Sequence, residues 1–582
     1  MLGSPGSMGG AVEEAGEVER ARGMARGDGI LAGSAPSVLA LVGLWIVATW
    51  LVDPRADVPL IDDWVYASSV ERLLLGKGLS VASFSSTFPP AQIAWGALFA
   101  AAAGFSHTVL RLSTLALALL GTLAFHAQLR RLGCDTAAAL VGALTLALYP
   151  VAFVLSFTFM TDVPMLAAML ASMWALVRGL ATGVDPLRGT RWVALGLGFA
   201  LVAFLVRPVA VAIPGALLAT ALLHRRLPAR GRVAVLALAT LVVMAAATVV
   251  APTYWTPAAG GQGSVAFRLE RLRYVLLVSP RVYAEAFLSM AAHVGLAAVP
   301  ALLATAGPMR RWPWKTTAAL VAASLVVSAL APESVSALKP HATWSTEELG
   351  GARPLLRGYL AYGGMRQLFA LLATVVGLGA SAGIGARIAR ACRAGGALRT
   401  PAATCVALAG ACSLVLCFVL WFFYDRYYLP LVPVAIALVL VTGAPRSVAA
   451  PARTAAAALA LALLLTLDVT GTRDMLAYAR TVDDALSRLV ASGVAWRDVD
   501  AGYVENGWRL YAHPENLPPG AQVDRDVPHV TGWTELPYAI ANVPLPGYAV
   551  REVVPVPRIW ATSDRVYVLA RPPMQPGALP GP

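Results

Sequence analysis

The stretch ILAGSAPSVLALVGLWIVATWLV, residues 30–52, runs for 23 residues without a charged side chain. Wound as an α-helix it is about 34 Å long, enough to cross the roughly 30 Å hydrocarbon core of a bilayer. Its length and the apolar runs that follow favour a retained signal anchor over a cleaved signal peptide. Immediately beyond it stands DPRADVPLIDDWVYA, residues 53–67, with two adjacent aspartates a few residues from the end of the apolar run. The first stretch sets the fold class; the second poses the functional question.

The whole chain agrees with a membrane reading. Of 582 residues, 58% are apolar and 13% charged, against about 25% charged in ordinary soluble domains, and the mean hydropathy is +0.68. Thirteen apolar segments are long enough to count as spans, near 30–52, 109–128, 136–155, 163–180, 191–206, 209–223, 233–251, 282–305, 316–332, 367–386, 401–423, 428–443 and 454–470. The net charge of +13 does not point to nucleic acid, because the arginines sit in short clusters between apolar runs. With the N-terminus cytoplasmic, six inner loops (130–135, 178–191, 224–232, 310–315, 387–399 and 444–453) hold 18 Lys and Arg but two acids, Asp135 and Asp185. The other loops carry acids and bases in comparable numbers, which is the positive-inside pattern. An odd span count then places the C-terminus outside. PPAQIAWGALFAAAAG (89–104) is short for a span, and counting it as one would invert every later loop, so it is expected as an interfacial or re-entrant helix.

The ends differ from the middle. Residues 1–28 lack apolar periodicity and read as a disordered cytoplasmic tail. Residues 29–470 form the membrane domain, with a long first outer loop at 53–108. Residues 471–582 gain charge and turn pairs and read as a small exported α/β domain. In it Met475, Leu476, Ala479, Val482, Leu486 and Leu489 share a helical face, while GYVENGW and RVYVLARP are expected as strands.

With this topology the ionisable residues near span boundaries collect on one side: Asp62 and Asp63, Asp162 in FTFMTDVPMLA, Arg207 in FLVRPVAV, Glu333 in LAPESV, and Asp425 with Arg426 in WFFYDRYYLPLVP. A charge at the centre of a span costs roughly 2.5–3.5 kcal/mol, so charges held there pair or line a cavity; at span ends the cost is smaller. Each has a plain structural reading. Asp62 suits the N-cap of a helix over about 64–75, with Asp63 an exposed first-turn acid, and Asp162 suits the cap of the fourth span with Pro164 in its first turn. Arg207 suits snorkelling to headgroups, and Asp425 with Arg426 a local ion pair. Together on one face they resemble the lining of a polar cavity.

The seven histidines are dispersed with no ligand spacing, so no dedicated zinc site is inferred. The five cysteines contain no CxxC and read as reduced. Nucleotide-binding glycine loops and a GxSxG elbow are absent.

The set DDWVYA, FPPAQIAW, FTFMTDVPMLA, LVRPVA and YDRYYLPLVP, spread over about residues 30–470, resembles the GT-C superfamily of membrane glycosyltransferases. Within it the likeness is to the bacterial aminoarabinose transferase and protein O-mannosyltransferase relatives. ENGWRLY is similar to a segment of some exported domains in that group. The resemblance implies an α-helical polytopic protein of about 13 spans in a bacterial plasma (inner) membrane. It also implies transfer of a sugar from a polyprenyl phosphate to an envelope glycan, lipid or protein on the outer face. It makes Asp62, the first acid of the family's acidic pair, the general base, with Asp63 beside it where many members have Glu. It makes Asp162 a positioner of donor or acceptor groups, Arg207 and Arg426 contacts for the lipid phosphate, and Tyr66 and Tyr427 flanks for the sugar. A divalent metal is left open, since metal dependence varies in the superfamily and no ligand spacing here indicates one. A transporter or lipid-linked sugar flippase, with the outer charges as a gate, is the rival reading; an assembly factor would leave the acidic pair unused.

Overall fold

Prolines and small polar side chains set the helix starts that bring the site together. The structure is a computed structural model and describes residues 34–81, 85, 87–251, 273, 280–305, 313–330, 366–394, 397–418, 425–443, 451–517, 519, 536–559 and 564–572. Its helices are α1 (Ala35–Val52), α2 (Asp63–Leu74), α3 (Pro90–Ala103), α4 (His107–Arg131), α5 (Thr136–Ala147), α6 (Pro150–Ser156), α7 (Asp162–Gly179), α8 (Pro186–Phe204), α9 (Ala212–Leu223), α10 (Arg230–Val250), α11 (Pro280–Ala297), α12 (Val299–Thr305), α13 (Trp314–Leu330), α14 (Arg366–Ala394), α15 (Pro401–Cys417), α16 (Leu431–Val441) and α17 (Pro451–Ala491). Short 3-10 turns at Pro208–Val211 and Asp425–Tyr428 precede α9 and α16.

Ser106 caps α4 by accepting from Val109 N at 3.1 Å, and Asp135 caps α5 by accepting from Ala138 N at 2.8 Å. Asp185 accepts from the amides of Leu187 and Arg188 at 3.0 and 2.9 Å while Pro186, with no N–H to satisfy, opens α8.

Six helices among the described residues are long and apolar enough to cross a membrane, or eight if each of two bent pairs is one span. Two expected spans are broken. Segment 136–155 is α5 and α6 meeting at 66°, with Pro150 at the break, and segment 282–305 is α11 and α12 meeting at 52°, with Pro300 just past the break. Segment 89–104 is the 14-residue helix α3, packed against α2 and α4. At about 21 Å it falls short of a crossing. Helices approach through small residues. A Cβ added to Gly121 of α4 would stand 3.0 Å from Ala167 Cα of α7, and one added to Gly189 of α8 would stand 3.0 Å from the Gly179 carbonyl oxygen of α7.

Helix α17 runs 41 residues and passes position 470/471 without a break. Its distal face carries Met475, Leu476, Ala479, Val482, Leu486 and Leu489, all buried as the spacing predicts. Val482, Leu486 and Leu489 pack on Ile540, Val566 and Val568 of a four-stranded sheet. The strands are β1 (Val499–Asp500), β2 (Tyr538–Ala541), β3 (Ala549–Pro555) and β4 (Arg565–Ala570), in the order β1-β2-β4-β3. β1 runs parallel to β2, while β2 and β3 are antiparallel to β4. RVYVLARP is a strand as expected, with Val566 and Val568 facing inward. GYVENGW is not: Gly502–Asn506 is the helix α18, continued by a π-turn at Gly507–Tyr511. Local side-chain bonds favour this alternative to a strand. Asp500 Oδ1 accepts from Gly502 N at 3.0 Å and from Asn506 Nδ2 at 2.7 Å, and Asn506 Oδ1 accepts from Ala501 N at 3.0 Å.

Candidate functional site

The two aspartates of DDWVYA face different surroundings. Ile61, just before them, sits at φ 56°, a left-handed conformation that strains a β-branched residue. Asp62 holds the N-cap position of α2, yet its side chain makes no capping bond. Its Oδ2 instead accepts from Arg426 Nη2 at 3.1 Å, and its Oδ1 accepts from the Tyr503 hydroxyl at 2.6 Å. The plain capping reading of Asp62 is thereby corrected: two donors remote in sequence take the carboxylate instead.

Asp63 is fully buried, not the exposed first-turn acid expected. Oδ1 accepts from Leu60 N at 2.6 Å, and Oδ2 accepts from Phe159 N at 3.2 Å. It ties the DDW turn to FTFMTD, the segment that delivers Asp162. Burial pushes its carboxyl from 3.8 up to about 6, against the opposing pull of Arg111 and the two amides. Arg111, itself fully buried, donates to the carbonyls of Pro54, Ala56 and Val58 and fixes the strand of loop leading to the turn. Gln92 of α3 adds a bond from Nε2 to the Phe159 carbonyl at 2.6 Å.

Asp162 opens α7 without capping it and pairs with Arg207. Both are buried, so the expected cap and the snorkelling arginine are jointly replaced by one buried ion pair. Arg207 lies over the Tyr427 ring at 5.0 Å, and Arg426 approaches the same ring at 5.8 Å. Tyr427 thus has both guanidinium groups within 5.8 Å of its ring. Asp425 Oδ1 accepts from Arg426 N at 2.7 Å, while the Arg426 side chain extends to Asp62. Tyr66, one turn along α2 from Asp62, is buried and feels Arg207, Asp62 and Arg426; burial raises its hydroxyl above the usual range. Asp62, Asp63, Tyr66, Asp162, Arg207, Arg426 and Tyr427 therefore form one connected constellation. Glu333 lies outside the described residues.

The constellation places one half-buried carboxylate, Asp62, against the Arg426 guanidinium, with a second guanidinium, Arg207, on the Tyr427 ring that Arg426 also approaches. Chemically it offers a proton acceptor next to fixed positive charge. Among the described residues no group of three or more His, Cys, Asp and Glu is arranged to hold a metal ion. Sequence reading passed over Arg111 in LRLST and Tyr503 in GYVENGW. For Arg111 a signal existed, an arginine one turn inside an apolar run; for Tyr503, 441 positions from Asp62, none did.

Residues 88–255 match the family model described as dolichyl-phosphate-mannose-protein mannosyltransferase. No curated protein matches the chain. Among solved structures it is similar to ArnT from Cupriavidus metallidurans bound to undecaprenyl phosphate, at 15% identity and a TM-score of 0.38, over 92% of this chain and 97% of that one. It is also similar to the archaeal oligosaccharyltransferase AglB from Archaeoglobus fulgidus in complex with an inhibitory peptide and a dolichol-phosphate, at 13% identity and a TM-score of 0.42. That match covers 79% of this chain and 58% of AglB. At these identities and scores neither likeness says what this chain acts on. The family match takes in FPPAQIAW, Asp162 and Arg207, and it bears out the resemblance to the GT-C membrane glycosyltransferases that those motifs carried.

Proposed function

We propose that this protein transfers a sugar from a polyprenyl-phosphate donor to a hydroxyl-bearing cell-envelope acceptor at the outer face of a bacterial plasma membrane. The carrying observation is the half-buried Asp62 carboxylate held beside Arg426, with Tyr427 linking Arg426 to the Asp162–Arg207 pair. The acceptor hydroxyl gives its proton to Asp62 as its oxygen bonds the anomeric carbon. The bond from that carbon to the phosphate oxygen breaks, and its electron pair leaves with the lipid phosphate. Arg426 and Arg207 meet the charge that grows there. One base and direct displacement give inversion at the anomeric carbon. Asp63 serves as the clamp between the DDW turn and FTFMTD, and Tyr66 and Tyr427 border the sugar.

The same reading takes thirteen spans, a cytoplasmic N-terminus, a membrane domain over 29–470 and an outward C-terminal α/β region over 471–582. A transporter is not favoured, because the ionisable groups gather at helix ends: the starts of α2 and α7 and the turns before α9 and α16. Transporter sites instead tend toward the midplane. The test incubates purified full-length protein with a panel of undecaprenyl-phosphate-linked hexoses and pentoses, comparing wild type with Asp62→Asn. Donor turnover by wild type, lost in the folded variant, is the expected result. Full activity in Asp62→Asn removes the base assignment, and no turnover or binding of any donor removes the function.

A further inference from the structure

Among the described residues, the C-terminal region reaches into the site through α18 and the π-turn. Gly502 at φ 81° opens α18, and the Asp500–Asn506 bonds lock its shape. The segment is wedged in place. Trp64 of α2 meets the rings of Tyr503 at 6.1 Å and Tyr511 at 5.5 Å, both edge-on. Gly507 lies so close to Trp64 that an added Cβ would stand 2.6 Å from Cζ2. Trp508 packs on Phe105, on His107 at the start of α4 and on His513, whose imidazole reaches Glu71 of α2 at 3.4 Å. The Tyr503 hydroxyl is therefore delivered by a packed element.

We propose that Tyr503 is a positioning residue for the transfer reaction, its hydroxyl holding Asp62 Oδ1 while Arg426 holds Oδ2, so that the C-terminal region completes the active site. The proposal rests on the reading of Asp62 as the base. A carboxylate with one donor on each oxygen keeps one lone pair per oxygen for an incoming hydroxyl, and it cannot swing about its Cβ–Cγ bond. A hydroxyl-to-carboxylate bond of 2.6 Å lies in the range of charge-assisted bonds. Burial first, and then the Asp62 charge, raise the Tyr503 hydroxyl well above its usual range, so it stays a donor at neutral pH. The groups acting on or bonded to Asp62 are Asp63 and Tyr66 from α2, Arg426 from the turn before α16 and Tyr503 itself, while Arg111 acts on Asp63 and Arg207 on Tyr66. Tyr503→Phe alters one of these and keeps the ring against Trp64.

The experiment uses full-length wild type, Tyr503→Phe and Asp62→Asn in detergent. With the donor that wild type turns over, Tyr503→Phe is expected to lower kcat by about 10- to 100-fold, with KM nearly unchanged. Removing a donor from the ionised carboxylate also moves the acid limb of the pH–rate profile to higher pH. A second readout needs no substrate: labelling of carboxyls by a water-soluble carbodiimide and an amine, located by peptide mass spectrometry. Labelling of Asp62 is expected to rise several-fold in Tyr503→Phe while Asp63 and Asp162 stay protected. A loosened fold would expose all three together and would overturn the proposal. Unchanged Asp62 labelling with an unchanged kcat and acid limb also overturns it, and a dead Asp62→Asn in the same series leaves the base assignment standing. Full activity in Asp62→Asn removes the base assignment and this proposal with it.

Discussion

Asp63→Asn separates the clamp from the base. In the folded protein the Asp63 carboxyl stays protonated up to about pH 6, whereas in the unfolded chain it releases its proton near 3.8. Between those values the folded state binds more protons, so stability falls as pH rises through the window and is level above it. At about 1.4 kcal/mol per pKa unit, the loss is about 3 kcal/mol. Asparagine does not titrate, so this slope vanishes in the variant. A second effect is independent of pH. Both carboxyl oxygens accept from backbone amides, of Leu60 and Phe159, and an asparagine offers one oxygen and one NH2. One buried N–H is therefore orphaned, at about 1–3 kcal/mol. The variant is expected to melt below wild type at pH 4, with the gap closing toward pH 7. With an unfolding entropy of about 2.1 cal/mol/K per residue, the closure is about 3 °C for a chain of this length. The assay is tryptophan-fluorescence melting of detergent-purified protein from pH 4 to 8. Parallel curves would refute the burial argument, and a variant more stable than wild type at pH 4 would refute the two-amide clamp.

Two further substitutions probe the frame. Arg207→Gln leaves the buried Asp162 carboxylate without its guanidinium, a loss of about 3–5 kcal/mol; adding Asp162→Asn is expected to recover melting temperature but not transfer, and a double variant no more stable than the single would count against a buried pair. Gly507→Ala forces Trp64 or the π-turn to move, at about 1–3 kcal/mol, and Trp64→Phe in the same chain should return part of the lost melting temperature, whereas additive losses would show that the two do not touch.

How much was legible in the sequence depended on how far each feature is local. Apolar runs near 30–52, 109–128 and 233–251 became long helices because hydrocarbon side chains and backbone satisfaction demand it. The convergence of Asp62, Asp162, Arg207 and Arg426 followed from charge bookkeeping across loops. The division of labour between Asp62 and Asp63 did not. Adjacent residues at a helix start diverge by about 100°, and the spacing alone does not say which one faces inward. GYVENGW was misread because short runs of aromatic and branched residues suit either state, and the Asp500–Asn506 bonds that decided it are invisible to periodicity. The change in composition at 470/471 is not marked by a break in the backbone, because α17 runs through it as one helix.

That continuous helix has a consequence of its own. Forty-one residues in one helix make a strut of about 62 Å. One residue inserted near 473 would advance everything beyond it by about 1.5 Å and turn it by about 100°. Every apolar residue before the insertion would keep its place, yet the Tyr503 hydroxyl would be carried round the axis away from Asp62. A seven-residue insertion would return the angle to within about 20° but displace the sheet by about 10 Å. The angular setting of the C-terminal sheet relative to Asp62 is therefore counted out in residues along a single helix.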